Sequence, residues 1–268
     1  MFELRATLTR QQRIGIGVGS VGLLILAWLV LTLGDSPLIP KATLPGPGTL
    51  AASVPKMHYD ELMIANALVS LLRITLGFVL AALVAVPLGI LMGAFTPLRA
   101  AIMPIISPLR FLPIAAVVPI FIFWFGLDET MKIALLFLGT FVYLLPLVVE
   151  TVDQVDDVYL KTAATLGASR WQIIRTIMVP ASLPAIFEEL RVLYGIGWTY
   201  VMLAEFVSVE GTGFGYEGIG FLLNQIRRRG TIADVLVLVA VVLVLGVLVD
   251  LLLGWMGRVM FPWAKRDE

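Results

Sequence analysis

The chain has 268 residues, 59% of them hydrophobic and only 14% charged, with 19 basic and 19 acidic side chains and a formal net charge of zero. A soluble chain would carry about 25% charged residues; with a mean hydropathy of +0.98 this composition belongs in lipid, and the zero balance excludes broad electrostatic attraction to nucleic acid. Cysteine is absent and His58 is the single histidine, which excludes disulfides, thiolate chemistry and Cys/His metal sites.

A membrane-crossing helix needs about 20 predominantly apolar residues, and the chain offers six such runs. The first, near 14–33, follows Arg5, Arg10 and Arg13 as a signal peptide would. It is longer than a typical signal core and lacks a small-x-small cleavage site, so it reads as a retained anchor. The proline-rich SPLIPKATLPGPG then leads to TLAASVPKMHYDEL, expected as a short interfacial helix. The second and third spans are placed near 66–94 and 100–125. The third carries Pro104, Pro108, Pro113 and Pro119, tolerable in lipid only where neighbouring helices or water take up the freed carbonyls. That points to a helix inside a bundle, along a pathway. The fourth span is placed near 130–152.

Between the fourth and fifth spans the polarity changes. KTAATLGASRWQIIRTIMVP, Lys161 to Pro180, reads as helix, break, helix. Asp156 or Asp157 can cap the first helix. Gly167 suits the left-handed residue that ends it, and Ser169 with Gln172 forms a capping box for the second. Ile173, Ile174, Ile177 and Met178 give that second helix an apolar side, and Pro180 is expected to end it. Ser182 and Pro184 suit the start of the fifth span near 183–206, and the sixth lies near 231–254.

Orientation follows from lysine and arginine near the span ends. With the amino terminus inside, that side collects Arg5, Arg10, Arg13, Arg99, Lys161, Arg170, Arg175, Arg258, Lys265 and Arg266. The outside holds Lys41, Lys56, Lys132 and Arg227 to Arg229. The balance puts both termini and the polar hairpin in the cytoplasm. The expected fold is an all-α polytopic bundle of about six transmembrane helices in a single domain, with no internal repeat.

The hairpin resembles the signature loop of ABC-importer permeases, written EAA, three residues, Gly, nine residues, Ile, one residue, Leu-Pro. Aligned on Gly167, the positions are Lys161, Thr162 and Ala163, then Ile177, Val179 and Pro180, so the acid, the first alanine and the leucine are replaced. LPGPGTL, LRFLPIAAVVPIFIFWFG and LRVLYGIGWTYVMLAEF resemble segments of the nitrate, sulfonate, taurine and bicarbonate group of these permeases. The resemblance implies that the loop over 156–180 is a coupling helix docking on a cytoplasmic ATPase. Lys161, Thr162, Ala163, Ala164, Gly167, Ala168, Ser169, Arg170, Ile177 and Pro180 are then the coupling residues.

It further implies ABC ATPase subunits that hold ATP and magnesium, a periplasmic or lipoprotein solute-binding protein, and a second permease copy as a homodimer in a bacterial or archaeal plasma membrane. No cofactor is expected on this chain, and it is not itself an enzyme: none of its five lysines follows a glycine, so the phosphate-cradling GxxxxGK[ST] loop is missing. Gly213, Gly215 and Gly218 in GTGFGYEGIG satisfy GxGxxG, but they follow an apolar helix with no βαβ unit. The resemblance makes this segment a short re-entrant turn near an outer gate.

Charges within spans cost about 2.5–3.5 kcal/mol on insertion scales and are usually paired or turned to a cavity. Arg73, Arg110, Arg191, Glu188, Glu189 and Glu205 fall in this class. Arg110, Pro113, Pro119, Trp198, Glu205, Gly213 and Gly215 are the candidate pathway or gate residues. Arg227 to Arg229 would draw a small anion or a binding protein, or form a solvated run. The solute is expected to be a small anion of the sulfonate or taurine, nitrate or bicarbonate class. The competing reading is a secondary transporter or channel driven by an ion gradient, which leaves the shaped hairpin without a role.

Overall fold

The computed structural model describes residues 9–32, 39–40, 42–208, 211 and 215–264. These are helices and connecting turns with no strand, in two compact units: Met1–Glu61 with Ile226–Val237, and Leu62–Gln225 with Leu238–Glu268.

The first unit contains α1 (Arg10–Thr32) and α2 (Pro47–Tyr59). It also holds the end of α10 (Ile219–Arg229) and the start of α11 (Ile232–Met260). None of the apolar window of α1 is buried. The Trp28 indole donates to the Pro45 carbonyl at 3.2 Å and ties the following loop back to α1. Pro47 opens α2, where its missing N–H is no loss. Thr231 and Asp234 exchange side-chain to backbone bonds that cap α11. Asp234 also takes Lys56 at 2.9 Å, and Arg229, from the expected arginine run, binds Glu61 at 2.7 Å.

The second unit is built on three long helices, α3 (Met63–Ala94), α6 (Glu129–Asp153) and α9 (Val179–Phe206). In lipid no hydrophobic force drives helices together, so close backbone approach does that work. α3 presents Gly77, Gly89 and Gly93 to Leu136, Val148 and Val152 of α6, where an added Cβ would overlap those side chains. The register advances together, so the two helices run parallel. More than half of the apolar window of α6 is buried, 56% against 11% for α11, which makes α6 central and α11 peripheral. Leu144, Leu145, Val148, Ile186 and Leu193 form the core at one end, and Ile74, Leu136, Tyr194 and Val201 form a second cluster further along.

The third span differs from expectation. Instead of one proline-bearing helix over 100–125 there are two, α4 (Thr96–Leu109) and α5 (Ile114–Phe125), bent by 100°. Pro104, Pro108 and Pro119 are accommodated within them. Pro113 is not, because a proline pushes the preceding residue out of the helical region, and here it opens α5 in extended geometry. Four helices are long and apolar enough to cross a membrane, or five if the bent pair counts as one span. The run expected near 183–206 lies in α9, whose Glu188, Glu189, Arg191 and Glu205 lower its apolarity, so the count of six is approximate.

Candidate functional site

Three features of the second unit carry polar chemistry. The first is the hairpin, α7 (Asp157–Thr165) and α8 (Arg170–Ile173). The Asp156 carboxylate accepts from the Val158 N–H at 2.9 Å and caps α7. At the other end of α7 the Ala168 N–H reaches the Ala163 carbonyl and the Gly167 N–H the Ala164 carbonyl, each at 3.0 Å. These are the two bonds of a Schellman turn, which needs a left-handed residue at its hinge. Gly167 supplies it with φ +81. Ser169 and Gln172 then bond each other's backbone N–H groups at 3.4 and 2.8 Å, completing the capping box.

Lys161 pairs with Asp157 at 3.0 Å along the exposed side of α7. Thr162 donates to its own helix. Leu166, Trp171 and Tyr159 stand out from the hairpin with 82%, 61% and 61% of their surface exposed, and Arg170 is exposed beside them.

Pro180 does not end the second helix. Residues Ile174–Met178 form a turn of π-helix that runs directly into α9, with Pro180 in the first turn of α9. The wider i→i+5 turn lets the chain continue past a residue that has no N–H to give. Ile177 lies in this turn. α8, the π turn and α9 therefore run on without a break.

The second feature is a buried ionic cluster at the opposite end of α9. Arg73 and Glu205 are fully buried and pair at 2.7 Å. The same guanidinium makes a fork on Glu129, through Nε at 2.7 Å and through the second nitrogen. It also donates to the carbonyls of Glu217 at 2.7 Å and Tyr216 at 3.1 Å. Buried Lys132 lies 3.3 Å from Glu129 and 3.7 Å from Glu217. The Glu205 carboxylate accepts from Ser70 at 2.8 Å and from the Gly220 N–H at 2.8 Å. Ser70 in turn accepts from Ile219 at 2.9 Å, and Asn66 from Gly218 at 2.9 Å.

Burying charge is tolerable only with such pairing. The cluster clamps the segment after α9 onto α3, α6 and α9. Gly218 is required here twice: its φ is +97, and a Cβ would land on the Glu205 carboxylate and the Arg73 guanidinium.

The third feature is a cavity of roughly 730 Å³ at the α4–α5 break. Arg110, Phe111 and Pro113 line one side, with Tyr143 from α6 and Tyr200 and Phe206 from α9 opposite.

The structure thus separates the candidate pathway residues. Arg110 and Pro113 share the cavity, whereas Pro119 is exposed on α5. Trp198 is buried with Ile74, Tyr194 and Val201 and does not line the cavity. Glu205 belongs to the ionic cluster. Gly215 is in the turn at φ +85, and Gly213 lies outside the described residues. Sequence reasoning singled out Arg73 as a costly charge but missed its partners Glu129 and Glu217, and Lys132 beside them. The available signal was that a cation in an apolar run demands an acid, and Glu129, Glu205 and Glu217 were the acids near span ends. Arg191, by the same logic, takes Asp250 at 2.6 and 2.7 Å and Glu188 at 3.3 Å.

Residues 85–261 match the family model described as binding-protein-dependent transport system inner membrane component. The taurine transport system permease protein TauC of Escherichia coli (strain K12) is 33% identical over 267 residues, covering 98% of this chain and 94% of that protein. The putative aliphatic sulfonates transport permease protein SsuC of Bacillus subtilis (strain 168) is 28% identical over 248 residues, covering 91% and 86%. Among solved structures, an inward-facing MetNI methionine ABC transporter matches with TM-score 0.62 at 18% identity, covering 79% of this chain and 99% of that one. A bacterial alginate ABC transporter, in complex with a periplasmic protein bound to alginate pentasaccharide, matches with TM-score 0.56 at 18% identity, covering 93% and 96%. These two share its fold.

Proposed function

The chain belongs to the binding-protein-dependent transport system inner membrane components, and from that membership we propose how it works. It is the membrane-spanning permease subunit of an ABC importer. A solute-binding protein delivers a small anion, of the sulfonate or taurine, nitrate or bicarbonate class. Two copies of the chain, related by a two-fold axis, enclose the pathway. Separate ATPase subunits bind ATP and magnesium, hydrolyse the nucleotide and move the permease between inward- and outward-open states.

The observation that carries the coupling step is the hairpin. Both of its helix N-termini are capped by its own side chains and its turn is hinged on a left-handed glycine, yet it leaves Leu166, Trp171 and Tyr159 bare. Exposed aromatic and aliphatic anchors on a rigid element are what a partner cleft recognises. Because the hairpin continues through the π turn into α9, a push on α8 travels along α9 towards the cluster around Glu205. Copurification of the ATPase with this chain, followed by ATP-driven uptake in proteoliposomes with the binding protein supplied, tests the reading. Uptake by this chain with no ATPase present would hand it to the ion-gradient class.

The same reading puts both termini and Ala168 in the cytoplasm. The chain has no native cysteine, and a side chain at Gly48 would meet open space. Gly48→Cys on intact cells is expected to react with an impermeant thiol reagent, and Ala168→Cys to stay silent until the cells are opened. The reverse pattern would invert the topology.

A further inference from the structure

We propose that the cavity at the α4–α5 break is an oxyanion-binding station within the membrane, with Arg110 as its cation, for solutes carrying a sulfonate, carboxylate or comparable head group. The inference rests on the permease reading and assigns a ligand to one cavity of it.

The reasoning starts from Arg110 as an exception. Arg73, Arg99, Lys132 and Arg191, the other buried or half-buried cations described in this unit, each meet carboxylates. The Arg110 guanidinium makes no ion pair or hydrogen bond with any described residue, although the residue is half-buried. An intramembrane cation without a protein counter-charge is stable where it faces a cavity that an anion can enter. The Arg110 carbonyl is held by Tyr143, which lies near the middle of α6, a helix of 25 residues long and apolar enough to span a membrane. The middle of a membrane-spanning helix lies within the hydrocarbon core, which is about 30 Å thick.

The position of Arg110 is fixed rather than adventitious. The Tyr143 hydroxyl donates to the Arg110 carbonyl at 2.9 Å, which pins the end of α4 to α6. The Tyr200 ring packs against Gly139 of α6, where an added Cβ would overlap it. Thr199 adds a hydroxyl to the lining. At roughly 730 Å³ the cavity falls in the range of about 300–1,000 Å³ usual for small-molecule sites. Its walls are mostly apolar, and Arg110 is the one charged side chain among the lining residues. A guanidinium also presents paired donors that match two oxygens of such a head group.

The absence of native cysteine allows a charge-restoration test. Arg110→Cys and Arg110→Lys are reconstituted with the ATPase and binding protein, and ATP-driven uptake of ethanesulfonate, taurine, nitrate and bicarbonate is measured. Arg110→Cys is expected to lower uptake of the transported anion roughly tenfold, the scale of one charge-assisted hydrogen bond, with ATPase association kept. Modification by an aminoethyl thiosulfonate, which restores a cation, should recover much of the loss; a sulfonatoethyl reagent should not. Arg110→Lys should fall between.

Parent-like uptake by Arg110→Cys would overturn the station and leave the importer reading standing. A loss that neither Lys nor the cationic reagent relieves, with ATPase still bound, would make Arg110 structural and also overturn it. ATP-coupled uptake of a solute with no oxyanion group, with none of the four named solutes carried, would remove the ligand class alone. Uptake with no dependence on ATP would remove the importer reading, and the station with it.

Discussion

ATP-driven uptake is expected to collapse in Gly167→Val while the protein still inserts in the membrane. The hinge residue sits at φ +81 with open space where a Cβ would go, so nothing outside the backbone resists substitution. The cost is that of holding an L-residue left-handed, about 1–2 kcal/mol and more for a β-branched side chain. That shifts the population of the closed Schellman turn by roughly 5–30-fold. The turn sets the angle between α7 and α8, so its loss misaims Leu166 and Trp171 together. No buried residue touches this position, and global stability should change little.

A graded series makes the prediction sharp. Asparagine, which tolerates the left-handed region, should retain most uptake, alanine less and valine least. Ser169→Ala removes one cap worth about 1 kcal/mol and should fall nearer the parent. The measurements are ATPase copurification and uptake in proteoliposomes with the binding protein present. Full ATPase binding and full uptake in Gly167→Val would remove the case for a shaped coupling element.

Arg73→Met should have the largest effect on stability. It leaves Glu205 buried with no cation at 2.7 Å and strips the fork from Glu129. Breaking a buried pair from one side typically costs about 3–5 kcal/mol. Arg73→Lys keeps the charge but cannot reach two carboxylates and two carbonyls at once, so it should recover only part. The combined Arg73→Met, Glu205→Gln protein should lose less than the sum of its single variants, because the second change removes the stranded charge. Thermal unfolding of the purified permease in nanodiscs reads all four. Additive losses, or a parent-like midpoint for Arg73→Met, would show that the cluster does not hold this end of the bundle.

The two sites were unequally legible. The hairpin could be read residue by residue because its contacts are local: Asp156 to Val158, Ser169 to Gln172 and Gly167 to Ala164 are all within three positions. Such bonds depend on short spacings and on side chains with few alternatives. Pro180 escaped the same logic, since a π turn offers a way around proline that no residue type announces.

Sequence alone settled that the chain is helical and lipid-soluble, because composition decides solvation, and that one polar segment is a capped, hinged hairpin. Packing decided the rest. Arg73 meets Glu205 from 132 positions away and Glu129 from 56, and apolar periodicity cannot choose among several acids near span ends. The glycine-rich GTGFGYEGIG offered a nucleotide motif by spacing, yet Gly218 proved necessary because a carboxylate and a guanidinium occupy the space its side chain would take. The 100° break that opens the Arg110 cavity likewise came from only one of four prolines. Each proline costs a helix one backbone hydrogen bond, and only the surrounding helices determine which loss is absorbed and which becomes a turn.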